Sequence, residues 1–143
     1  MNGNTELLNY IYQNSQMGVI TLKQLSDITE SGELKTCLES QLSKYQEINN
    51  TARSLLNSHG YDEKGINAFE KIRTYLMINI QTLTDKTPSH IAEMLIIGSN
   101  MGVINAVKNL KKYPHAEDSI INLMDKLLKF EENNIQELKA FLG

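Results

Sequence analysis

A single cysteine, Cys37, leaves the chain unable to close a disulfide within itself and without a cysteine cluster for a metal. Tryptophan is absent, and only two prolines, Pro88 and Pro114, punctuate the 143 residues. Arginine is nearly missing. Arg53 and Arg73 stand beside 12 lysines, so planar forks for phosphate are scarce, and 17 acidic against 14 basic residues leave no basic stripe for nucleic acid. The most apolar stretch, Ile91 to Val107, is broken by Glu93, Ser99, Asn100 and Asn105; it reads as a core helix and not as a membrane span. No charged-then-apolar leader opens the sequence, and neither a Gly-rich phosphate loop nor a nucleophile elbow is present. The expectation is a cytoplasmic protein with no nucleic-acid or membrane partner.

Hydrophobic residues make up 41% of the chain, enough for one domain spanning residues 1–143 with a real core. Their spacing by three and four predicts an all-α protein. A first helix over about 4–30 has the seam Leu8, Ile11, Ser15, Gly18, Leu22 and Leu25, with Asn4 or Thr5 as its cap. A second, over about 33–59, carries Leu34, Leu38, Gln41, Tyr45, Ile48, Ala52 and Leu55 and ends at His59-Gly60, where the glycine suits a left-handed turn. After a turn at residues 61–65, Asn67 and Glu70 form a capping box for a third helix over about 67–84, with Phe69, Ile72, Leu76, Ile80 and Leu83 on its apolar face. Thr87-Pro88 opens a fourth helix to about residue 112. A fifth, over about 116–142, has the seam Ile120, Met124, Leu127, Glu131, Asn134, Leu138 and Phe141.

The stretch Ser15-Gln16-Met17-Gly18-Val19-Ile20-Thr21 returns 84 residues later as Ser99-Asn100-Met101-Gly102-Val103-Ile104-Asn105, identical at five of seven positions. A fainter echo, Lys44 to Glu47 against Lys129 to Glu132, extends it to the second helix of each pair. The repeating unit is therefore a helical hairpin, and the third helix is a crossover outside the repeat. That helix is the expected surface for a partner, a second copy or another protein. A glycine inside a helix costs about 1 kcal/mol relative to alanine, so Gly18 and Gly102, with Ser15 and Ser99, are read as close-packing positions that let another backbone approach.

Two homologous hairpins joined by a long crossover resemble the ferritin-like superfamily, and the chain looks similar to ferritin-like proteins of spore-forming anaerobic bacteria; its abundance of Lys, Asn and Ile is what an AT-rich bacterial genome gives. The resemblance implies a four-helix bundle in which the first helix of each hairpin supplies a glutamate and the second a Glu-x-x-His, together holding two iron or manganese ions. At those positions this sequence has Glu131-x-x-Asn134 in the fifth helix, and Gln46-x-x-Asn49 or Tyr45-x-x-Ile48 in the second. No glutamate is followed three residues later by histidine, and His59, His90 and His115 fall at helix ends or links. One carboxylate among amides does not balance two divalent cations.

The expected function is accordingly a non-catalytic bundle with a degenerate dimetal site, no cofactor and a structural or interaction role, related to spore or stress. The alternative is iron or manganese storage or oxidoreduction through an unusual ligand set around Glu131 and Asn134. Glu131 itself has two readings, a rim carboxylate or a buried acid bonded to Asn134, Ser15, Ser99 or Tyr45. A pocket for a small apolar molecule among the methionines is a further alternative.

Overall fold

The computed structural model describes residues 2–30, 32–61 and 70–143, and all regular structure among them is helical. The helices are α1 (Asn4–Ile28), α2 (Glu33–Ser58), α3 (Glu70–Gln81), α4 (Pro88–Lys112) and α5 (Asp118–Lys139). The expected Asn67 cap, Phe69, most of the turn after Tyr61, and Ser31 in the first link lie outside the described residues.

Helix ends follow local chemistry. Gly60 adopts φ 82°, and the Tyr61 and Gly60 amides donate to Leu56 O and Asn57 O at 2.9 and 3.0 Å, closing α2 with the paired bonds of a left-handed C-terminal turn. Thr87 caps α4 by accepting from His90 N. Asn4 is not the cap of α1: Gly3 takes that place with φ 86°, and Asn4 Oδ1 accepts from Glu117 N at 2.8 Å, tying the start of α1 to the start of α5.

Side-chain pairs set the helix directions. Ser15 with Asn49 and Gly18 with Tyr45 lay α1 antiparallel to α2. Tyr45 with Glu131, Glu47 with Lys126 and His59 with Glu117 lay α2 antiparallel to α5. Tyr10 with Gly102 and Gly3 with Tyr113 lay α1 antiparallel to α4. Helices α2 and α4 therefore run the same way, and α3 carries the chain back between them. Helix α1 touches all four others and is buried almost all round through its first half.

The core between these helices is aliphatic above and below a polar centre. Leu8, Ile11, Leu38, Leu56, Ile91, Ile120 and Met124 are among its fully buried side chains, each contributing roughly 1.5–3 kcal/mol. Helix α3 buries Ile72 and Leu76 against this core, so its inner face is used within the chain. Helix α4 is less of a core helix than its sequence suggests. Ile91, Met94 and Leu95 point inward, yet Ile97, Ile104 and Val107 stay exposed. Long and apolar enough by length and composition to cross a membrane, α4 has only 39% of its apolar window buried.

Candidate functional site

Glu131 follows Leu127 by four residues and precedes Asn134 by three, so the inner seam of α5 carries its carboxylate to the centre of the protein, 2% exposed. The rim position is thus excluded. Two neutral donors hold it: Asn14 Nδ2 donates to Oε1 and the Tyr45 hydroxyl to Oε2, each at 2.8 Å. Tyr10 lies beside them and donates to Gly102 O at 2.8 Å. Burial pushes the Glu131 carboxyl up to about 7, against the lowering effect of Tyr45 and Asn14. Burial first, and the Glu131 charge second, push the Tyr10 and Tyr45 phenols far up, so both remain protonated.

The repeated glycines make room for this arrangement. A Cβ at Gly102 would lie 3.1 and 3.3 Å from the two Glu131 oxygens, and one at Gly18 would lie 2.7–2.8 Å from the Tyr45 ring. What comes close is a side chain in both places, not the backbone anticipated from the sequence. Each glycine faces the second helix of its own hairpin, and Tyr45 and Glu131, which bond to each other, are 86 residues apart where the glycines are 84 apart.

Gly18→Ala should therefore destabilise by about 1–3 kcal/mol through overpacking against a rigid ring, despite the roughly 1 kcal/mol that helix propensity favours alanine. Gly98→Ala should be neutral or stabilising, because its Cβ would meet only the flexible Leu76 side chain at 3.2 Å. Thermal melts of the pair check this; equal shifts would refute it.

Of the other anticipated residues, Ser15 serves a separate network one turn away, donating to Ile11 O at 2.7 Å and accepting from Asn49 Nδ2 at 3.1 Å. Ser99 is half-buried and lines a cavity of about 30 Å³ with Gly18, Gly98, Gly102 and Glu131, beneath Ile72 and Leu76 of α3. That volume holds about two water molecules and is too small for an apolar cargo. Asn134 is 1% exposed, and its amide lies against the Tyr45 hydroxyl, where it opposes the upward shift of that phenol, without closing a well-aligned hydrogen bond. Asn14 escaped the sequence reading because it stands one residue before the seam position Ser15; the only signal for it is the four-residue step from Tyr10.

Among the described residues no three His, Cys, Asp or Glu side chains come together. Glu131 is a lone carboxylate with both oxygens engaged, Tyr45 is a protonated phenol and Asn134 a neutral amide. This donor set does not fit a pair of divalent cations. The chain matches no protein-family model, no curated protein and no solved structure.

Proposed function

We propose that this is a cytoplasmic ferritin-like helical bundle in which a hydrogen-bonded cluster occupies the place of a dimetal centre, and that it acts as a structural or interaction protein without catalysis. The observation that carries this reading is the double capture of Glu131 by Asn14 and Tyr45, which satisfies with neutral protein donors the one buried carboxylate among the described residues. The helix directions support it, since a crossover that leaves α2 and α4 parallel is what a doubled hairpin requires. Support for the repeat comes from the matched pairs Gly18 with Tyr45 and Gly102 with Glu131. In this reading Asn14 stands where a first-helix glutamate would reach the metals, and Tyr45 replaces the glutamate of the second helix.

The buried amide of Asn134, which closes no well-aligned hydrogen bond beside the Tyr45 hydroxyl, favours one competing reading, a single iron or manganese ion on Glu131 and Asn134. Elemental analysis separates the two. Protein made in medium supplemented with both metals and purified without chelator should carry far less than one ion per chain, with the same value for Glu131→Gln. Stoichiometric metal that disappears in Glu131→Gln would establish the competing reading.

A further inference from the structure

The outer face of α4 is apolar at its middle and oppositely charged at its ends. Glu93, Ile97, Asn100, Ile104 and Lys108 recur at steps of three and four and are all exposed, Ile97 at 39% and Ile104 at 54%, with Met101 half-buried beside them. One stripe of one helix therefore reads acid, isoleucine, amide, isoleucine, base. The two isoleucines lie seven residues apart, about 10.5 Å along the axis.

The geometry points to a homodimer in which α4 packs antiparallel against α4 of a second copy about a two-fold axis between Asn100 and Met101. That axis sets Ile97 opposite Ile104 of the other chain and, with the same registration, Glu93 opposite Lys108. Both contacts occur twice by symmetry, as an isologous interface requires. The charges fix the partner's direction: a parallel α4 would face Glu93 with Glu93 and Lys108 with Lys108, which is repulsive at both ends. They also set α4 apart from a membrane span, which would have to carry Glu93 into lipid. Among the described residues α3, by contrast, offers only Met77 and Ile78 as exposed large apolar groups. The dimer gives the interaction role proposed above a surface, and a metal found at Glu131 would leave it standing.

Gel filtration with light scattering on the full chain tests this. Wild type should run at twice the 16.2 kDa chain mass. Ile104→Lys should be monomeric at the same concentration with unchanged helical circular dichroism. Glu93→Lys should weaken the dimer on the order of tenfold, through lost attraction and new repulsion, and the double exchange Glu93→Lys with Lys108→Glu should restore it. A monomeric wild type, an Ile104→Lys dimer, or a double exchange no better than the single one would overturn the inference. So would a wild type that stays monomeric and sediments with phosphatidylglycerol vesicles, which would assign the stripe to lipid.

Discussion

Tyr45→Ala is expected to be among the most damaging single substitutions in the protein, at about 3–5 kcal/mol for loss of a buried aromatic. The ring is 5% exposed, meets Phe130 edge-on with centroids 4.7 Å apart, and fills the space that Gly18 leaves open. Its hydroxyl supplies one of the two donors to Glu131. Tyr45→Phe separates the two contributions. The ring stays, one carboxylate oxygen loses its donor, and the cost should be about 1.5–3 kcal/mol when Glu131 is ionised, and smaller at pH 5. Denaturant titration of both variants at pH 5 and 8 measures this. The same ring couples Tyr45 to Gly18. In a Tyr45→Ala background, Gly18→Ala has no ring to meet and should turn from destabilising to stabilising by about 1 kcal/mol. Independent, additive effects of the two substitutions would show that the glycine is not there for the ring.

The second large effect concerns pH. A carboxyl raised from its ordinary 4.5 to about 7 binds its proton more tightly in the folded protein than in the unfolded chain. Stability from this group is therefore fully present below about pH 4.5, declines as pH rises, and is lost beyond pH 7, a total of about 3 kcal/mol. Glu131→Gln removes the titration. Its amide accepts from Tyr45, and a rotated Asn14 amide can accept from it, so the variant keeps two hydrogen bonds. Its melting temperature relative to wild type should rise between pH 4.5 and 8 by roughly 10 °C. His59 also holds its proton more tightly when folded, through Leu55 O and Glu117, and its contribution declines with pH in the same direction. It is present in both proteins and cancels in the comparison. Parallel pH profiles for wild type and Glu131→Gln would rule out a buried, protonatable carboxyl.

The helices were legible because apolar periodicity, Thr87-Pro88 and His59-Gly60 are local signals, and the helix boundaries fall within a few residues of those expected. One exception has a tertiary cause: Asn4 is drawn away from capping by Glu117 N. The other is that α5 ends at Lys139 in place of 142. The seam sets Glu131 and Asn134 on one face of α5 but leaves the acid open between rim and interior, and of the four partners it offers only Tyr45 bonds to the carboxylate. Asn14 stayed hidden because α1 is enclosed by all the other helices, and a residue off the seam there is as buried as one on it. The glycines mark a close approach, but of a side chain where the sequence points to a backbone. Only three-dimensional packing identifies the Tyr45 ring and the Glu131 carboxylate. The exposed apolar stripe of α4 is likewise invisible to composition, which registers an apolar helix and not which side of it the core uses.

In the proposed reading Glu131 is a buried acid served by protein donors and not by a cation. Carbon-detected NMR titration of its side-chain carboxyl tests that claim directly. A midpoint near 7, moving further up in Tyr45→Phe as a donor to the carboxylate is lost, is the predicted result. A midpoint at or below the ordinary 4.5 would contradict it, showing a carboxylate that is solvated or held ionised by a positive charge.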